Sequence, residues 1–280
     1  MTARTCLVSG FAALVLVASG LAAAAALPAT AAPAPPPAPS PAASAVNKYV
    51  SLGDSFAAGQ GAGGYLNACL QSTNGYPALL GAVKGTNLLR NASCRDATTA
   101  TVTSTQLSVL NQGTTLVTLT VGGNDLDVAG VAALCTTQPT ACDGAIAAAQ
   151  ALLVAPPGGV SELATRLTAT YARVAAAAPN ARIVVTGYPY LFELPPTSDP
   201  RYGTIVALST ATAALNATIS GAVDAEAAQH VKIGFVDVSS AFFGHGIGSP
   251  DAWINDAGPD VFHPTIAGYL AYAGAIKPTL

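Results

Sequence analysis

A chain of 280 residues with 51% hydrophobic and 9% charged side chains carries enough apolar content for a sizeable core and has room for one or two domains. Its 11 basic and 14 acidic residues leave a net charge of −3. No basic run or basic-plus-aromatic stripe supplies the phosphate-binding electrostatics that nucleic acid requires, so that partner is excluded.

The N-terminus does not read as globular. Arg4 precedes an uncharged apolar stretch at 7–27, followed by the small residues Ala29-Thr30-Ala31. This pattern predicts a signal peptide over 1–31 and a secreted, extracellular product, free or associated with the cell envelope. The stretch is long enough to cross a bilayer, but the A-x-A site favours removal. No further apolar stretch follows, so no stable membrane span is expected after cleavage. Export removes Arg4 and Cys6, leaving 10 basic against 14 acidic side chains, a net charge of −4 and four cysteines. Pro33, Pro35, Pro36, Pro37, Pro39 and Pro41 then favour an extended conformation over packing. Residues 32–45 are expected to be a disordered spacer ahead of one catalytic domain, 46–280.

From Val46 onward, short β-rich runs alternate with longer Ala-rich stretches, the pattern of a parallel sheet covered by helices. Strands are predicted at 48–52, 86–91, 115–121, 182–186 and 231–238. The third and fourth, TLVTLTV and RIVVT, are nearly continuous apolar or β-branched runs, as expected of strands buried on both faces. The Thr tract at 98–105 contains a helix start where hydroxyls can cap. Val160, Leu163, Leu167, Tyr171 and Val174 share one face of a helix over 159–178, which Pro179-Asn180 ends. Further helices are predicted at 204–229 and 265–276. The expected architecture is a three-layer α/β/α sandwich of flavodoxin-like type, with a five-stranded parallel sheet in the order 2-1-3-4-5.

Cys69, Cys94, Cys135 and Cys142 form an even set in an exported chain and imply two disulfides, for which three connectivities exist. Pairing sequence neighbours gives Cys69–Cys94 and Cys135–Cys142, worth roughly 3.5 and 2.5 kcal/mol by chain entropy. A zinc site would need a C-x2-C or H-x3-H pair, and neither occurs. No metal or organic cofactor is expected.

Ligands of an open parallel sheet bind outside the carboxyl ends of the strands. There the chain offers Gly53-Asp54-Ser55, Gly122-Gly123-Asn124-Asp125 and Gly187-Tyr188-Pro189-Tyr190, with Phe242, Phe243 and His245 near the fifth strand. Alone, G-D-S is an ordinary turn or helix cap, and Asn124 an ordinary cap. The reading changes with Asp260-Val261-Phe262-His263. A carboxylate three residues before a histidine can orient one imidazole nitrogen, leaving the other to deprotonate a serine.

Three blocks, YVSLGDSFAAG at 49–59, TVGGND at 120–125 and FHPTIAGY at 262–269, together resemble the SGNH or GDSL hydrolases, closest to secreted actinomycete-type lipases and esterases. The cysteine placement is similar too, though a third bridge often found there is missing. The resemblance implies the SGNH hydrolase fold and a Ser55, His263, Asp260 triad. It further implies an oxyanion hole from the backbone N–H groups of Ser55 and residue 96 with the side-chain amide of Asn124. One departure stands out: Asp96 occupies the place of the family's oxyanion glycine. Its N–H can still donate if its carboxylate points to solvent or to Arg95. The Trp253 carbonyl is an alternative partner for His263, as a carbonyl serves in relatives that lack the aspartate.

The expected reaction is acyl-ester hydrolysis by a monomer. Tyr188, Tyr190, Phe242 and His245 are substrate-rim candidates, beside Tyr65, Tyr76, Phe192 and Phe243. Aromatics suit a lipid or short-to-medium acyl group, but they also stack on sugars, which keeps carbohydrate O-acetyl esters open. A low-activity, envelope-associated binding protein on the same fold is the rival from another class, and Asp96 is its best support.

Overall fold

The computed structural model describes residues 46–280. The expected signal peptide and spacer lie outside the described residues. Five parallel strands form one sheet in the order β2-β1-β3-β4-β5: β1 (Asn47–Gly53), β2 (Thr86–Asn91), β3 (Leu116–Thr120), β4 (Arg182–Thr186) and β5 (Ile233–Val236). Every β3 residue is buried, as are four of the five in β4, because helices cover both faces of these inner strands. Each fully buried Leu or Val there contributes about 1.5–3 kcal/mol.

β5 is shorter than the predicted 231–238. It is an edge strand paired with β4 alone, and the Asp237 carboxylate accepts the Ser239 N–H at 2.8 Å, a local turn that competes with the ladder.

The chain enters the sheet at β1, one strand in from the edge, steps outward to β2, then crosses back over β1 to β3 and continues to β5. Right-handed crossovers therefore divide the helices between the two faces. α2 (Tyr76–Gly81) packs with α8 (Ile266–Ile276), where Tyr76 and Tyr272 stack at 4.8 Å. On the other face α6 (Glu162–Ala177) packs between α7 (Tyr202–Ala228) and a short helical run. That run is α3 (Thr99–Thr101), continued by a π-turn at Val102–Gln106 and a 3₁₀ turn at Leu107–Val109. Ser161 caps α6 by accepting the Ala164 N–H, which starts the helix past the predicted 159.

Between β3 and α6 lies a hairpin of two helices that the sequence pattern leaves unassigned, α4 (Val128–Thr137) and α5 (Pro139–Ala151). Alanine is the commonest residue in both, and in neither do the larger apolar side chains gather on one face, so the apolar period is weak and mainly the helix preference of alanine remains as a signal. Cys135–Cys142 ties the two helices together, and Cys69–Cys94 ties the loop after β1 to the loop after β2.

Candidate active site

At the end of β1 the chain must turn sharply beneath β3. Gly53 has φ +127°, and a Cβ there would lie 2.1 Å from the Thr120 carbonyl oxygen, so glycine is required. The Gln106 side chain fastens the turn, its Oε1 accepting the Gly53 N–H at 2.7 Å and its amide donating to the Gly53 carbonyl at 2.8 Å. Asp54 caps the single-turn helix α1 (Ser55–Ala58) by accepting the Phe56 N–H at 3.0 Å. Ser55 is thus the first helical residue. Its N–H has no acceptor among the described residues, as befits a helix N-terminus.

His263 comes from the opposite side, on the loop before α8. Ser55 Oγ lies 2.8 Å from His263 Nε2, and both residues are more than 90% buried. His263 Nδ1 lies 3.0 Å from the Val261 carbonyl oxygen. A carbonyl can only accept, so the proton sits on Nδ1 and Nε2 is free to take the serine proton. Burial pushes the imidazole pKa below its ordinary value, against smaller upward effects from the Val261 bond and the Asp260 charge. At neutral pH it is therefore a neutral base.

Asp260 lies elsewhere than the sequence implies. Its Oδ2 accepts from the Tyr65 hydroxyl at 2.6 Å, and Tyr65 in turn accepts the Gly61 N–H at 2.9 Å. The carboxylate thus joins the histidine loop to the loop after α1, and the position facing Nδ1 is taken by a main-chain oxygen. That oxygen is not from Trp253, whose carbonyl accepts the Thr265 N–H at 2.8 Å. Phe262, between Val261 and His263, has φ +69°, the left-handed conformation that lets Val261 turn its carbonyl back on the ring. Asn255 completes the loop by donating its side-chain amide to the carbonyls of Gly61 and His263 at 3.1 and 2.9 Å.

Two further groups with N–H donors, Asn124 and Asp96, line the same cleft as Ser55. Asn124 directs one amide N–H to the Ala97 carbonyl at 3.0 Å, which fixes the side chain and leaves the other N–H for the cleft. The Asp96 N–H has no acceptor among the described residues. Asp96 sits at φ +62°, a turn that glycine adopts freely and aspartate tolerates better than most other residues. Its side chain is 77% exposed and pairs with Arg95 Nε at 2.8 Å. Asp125 is spent structurally, accepting the Thr99 N–H and hydroxyl at 2.9 and 2.6 Å.

Of the rim candidates, Tyr188 alone lines the cleft, and its hydroxyl is not free. It donates to Asp54 Oδ2 at 2.5 Å and accepts the Gly123 N–H at 3.0 Å, linking the serine turn to the Asn124 loop. Burial raises the Asp54 pKa to about 7 against the lowering effect of these bonds. Tyr190 is surface-exposed and outside the cleft. Phe242 is buried in the core against Trp253 and Tyr272. His245 stacks on Trp253 at 3.4 Å and turns Nδ1 to the Asp251 carbonyl at 2.8 Å. Phe242 and Trp253 fill space under α8, and neither they nor His245 line the cleft. Asn216 escaped the sequence reading. It clamps Tyr188 through N–H and carbonyl, both at 2.8 Å, and its signal was a polar residue beside Leu215 on the buried face of a long helix.

A serine hydroxyl bonded to a neutral imidazole, with polar N–H groups in the same cleft at the strand ends of a doubly wound sheet, is the arrangement a serine hydrolase needs. Comparison with known proteins agrees. The GDSL-like Lipase/Acylhydrolase family matches residues 51–271. Lipase 1 of Streptomyces coelicolor is 33% identical over 246 residues, covering 85% of this chain and 87% of its own. Two crystal structures align over 84% of this chain and all of theirs. The extracellular lipase of Streptomyces rimosus has a TM-score of 0.75 at 32% identity, and phospholipase A1 of Streptomyces albidoflavus NA297 has 0.74 at 34%. The chain belongs to the GDSL-like lipase/acylhydrolase family and is a carboxylic ester hydrolase.

Proposed function

We propose that this is a secreted esterase of lipid or short-to-medium chain acyl esters, with Ser55 as nucleophile and His263 as base. The observation that carries the reading is the 2.8 Å contact between Ser55 Oγ and a neutral His263 Nε2 at the floor of an apolar cleft. Ser55 Oγ attacks the ester carbonyl as its proton passes to Nε2. The oxyanion takes hydrogen bonds from the Ser55 and Asp96 N–H groups and the free Asn124 N–H, donors of a kind worth about 3 kcal/mol each in other enzymes. Imidazolium returns its proton to the departing alcohol, and water repeats the sequence on the acyl-enzyme. The Val261 carbonyl holds the ring throughout, and Asp260, bonded to Tyr65, adds its charge without a side-chain bond to the imidazole.

Phe56, Val128, Leu191, Leu215 and Phe262 wall the cleft, which favours an acyl chain over a sugar. The lipase and phospholipase A1 names of the relatives support the same substrate class. The extracellular relative and the 1–31 pattern support export. On this reading 1–31 is the signal peptide, 32–45 a spacer and 46–280 the catalytic domain. Every catalytic group comes from one chain, so a monomer suffices. Hydrolysis of p-nitrophenyl butyrate tests the roles. Ser55→Ala and His263→Ala should each lower kcat by roughly 10³-fold or more with the fold intact, and near-normal turnover in either refutes the assignment.

A further inference from the structure

The ladder between β1 and β3 ends at the Gly53–Thr120 pair, closed by the Asp54 N–H on the Thr120 carbonyl at 3.0 Å. Past that point the serine turn and the Gly122-Gly123-Asn124 loop run on separately, and among the described residues no hydrogen bond joins 55–60 directly to 121–125. An oxyanion hole that draws on both must hold its donors at a fixed spacing, since a misplacement of about 1 Å can cost roughly 10²-fold in rate. One phenol spans the gap. Tyr188 is buried just beyond β4, its backbone clamped by Asn216 of α7 and its ring edge-on to Phe56 at 5.1 Å. A Cβ on Gly123 would lie 3.1 Å from the ring Cζ, so glycine lets the ring pass this close. The Gly123 N–H can only donate, so the phenol accepts it on a lone pair and gives its single proton to Asp54 Oδ2. Donating to a carboxylate makes the same oxygen a better acceptor. Burial and the Asp54 charge raise the phenol's pKa above its ordinary value, which keeps that proton in place.

We propose that Tyr188, which the sequence marks as a substrate-rim aromatic, is instead the positioning residue of the oxyanion hole, with Asp54 as the acceptor that orients its hydroxyl. Through Asp54 the hydroxyl holds the turn that carries the Ser55 N–H, and through Gly123 it holds the loop that carries Asn124. It is bonded to neither Ser55 nor His263, and acts by keeping donors on two strands where negative charge develops. The inference rests on the assignment of Ser55 as nucleophile and of the Ser55 N–H and Asn124 as oxyanion donors.

Tyr188→Phe keeps the ring and removes both bonds. On p-nitrophenyl butyrate it should lower kcat roughly 10- to 100-fold with KM nearly constant, since the donors are displaced rather than lost. Phenylboronic acid, whose boron bonds to Ser55 Oγ and places an oxygen in the hole, should bind the variant more weakly by a similar factor. A packing role alone would lower Tm and leave both values near wild type per active site, and that result overturns the proposal. Active sites are counted with diethyl p-nitrophenyl phosphate, and the labelled peptide is identified by mass spectrometry. No label on wild-type Ser55 means that the nucleophile assignment fails and the proposal with it, whereas a labelled Ser55 with normal turnover in Tyr188→Phe overturns the positioning role alone. Combining Asp54→Asn with Tyr188→Phe removes any effect of a stranded Asp54 charge. The double variant should stay as slow as Tyr188→Phe, because Gly123 still lacks its acceptor, and recovery to near wild-type kcat overturns the proposal. The wild type supplies a test that needs no variant to fold. Its Gly123 amide should exchange with solvent as slowly as the amides of β3, and exchange at the rate of an exposed loop amide overturns the proposal.

Discussion

Ser55 and Asn124 leave the carboxyl ends of the central strands β1 and β3, whereas His263 stands on a loop beyond the last strand, and the two regions are held by different means. The serine side is fixed by the sheet itself: Gly53 fits under Thr120, Gln106 grips both polar groups of Gly53, and Tyr188 spans Asp54 and Gly123. The histidine side is a loop fastened to the loop after α1 by Asn255, by the Tyr65–Asp260 bond and by the Gln60 amide on the Pro259 carbonyl at 3.3 Å. Buried networks of satisfied groups are stiff, and a loop tied by a few partly exposed bonds is less so. Changes on the serine side should therefore act on the chemical step, while changes to the histidine tethers should act through the position and basicity of the ring.

The larger effect belongs to the serine side. Asn124→Ala removes an oxyanion donor from a preorganised site and should lower kcat by roughly 10²–10³-fold with KM nearly constant. A loss below tenfold, measured with a chromogenic ester, would mean that two backbone N–H groups suffice.

The histidine tether should respond more weakly, and in a way that separates two roles for Asp260. If the carboxylate acts only through its charge and its bond to Tyr65, Asp260→Asn should lower kcat by roughly tenfold, whereas loss of a carboxylate bound to the catalytic imidazole has cost about 10⁴-fold in a serine protease. The pH dependence has a definite sign. His263 must be neutral, so kcat/KM falls as pH drops through its depressed pKa. The Asp260 charge raises that pKa, so Asp260→Asn should move the acid limb to lower pH. Tyr65→Phe keeps the charge but cuts the tether, and should lower kcat with a smaller shift of that limb. Equal shifts in both variants would show that the charge does not reach the ring.

The same division decided what could be read from sequence. Residues at strand ends announce themselves, since the β3 and β4 runs are unbroken and Gly-Asp-Ser and Gly-Gly-Asn-Asp follow their strands directly. The sheet order follows from that pattern, whereas the pairing of Ser55 with His263 was legible only once the Asp260-to-His263 block and the family resemblance were added. The acceptor for His263 Nδ1 was not legible even then, because a carbonyl has no side-chain signature and its position depends on the left-handed turn at Phe262. Motif spacing also fails to tell which aromatics face the cleft. Phe242 and Tyr190 lie near strand ends in sequence, yet one supports α8 and the other faces solvent. The α4–α5 hairpin was hidden for a different reason, its alanines giving no face to the period.

The smallest expected effect lies at Asp96, where the two regions nearly meet and where chemistry and folding pull apart. Its left-handed backbone costs a non-glycine residue about 1 kcal/mol, so Asp96→Gly should relieve strain and raise Tm by a few degrees, less whatever freedom the unfolded chain gains. Catalysis should barely notice. On the proposed mechanism the group that faces the oxyanion is the backbone N–H, which every residue but proline retains, while the carboxylate is directed to Arg95 in solvent, where an exposed pair contributes little. Wild type, Asp96→Gly and Asp96→Asn should therefore have kcat within a few-fold of one another, with profiles of the same shape and an acid limb moved slightly to lower pH in both variants, because the Asp96 charge adds a small upward push to the His263 pKa. Were the carboxylate to swing toward the developing oxyanion, like-charge repulsion would slow the wild type at high pH and favour its protonated form. Both variants would then gain tenfold or more, and the wild type would recover as pH falls until His263 protonates. Measuring kcat from pH 5 to 9 for the three proteins distinguishes these outcomes, because a strained backbone changes Tm without changing the slope of the profile, whereas an intruding charge must change the profile.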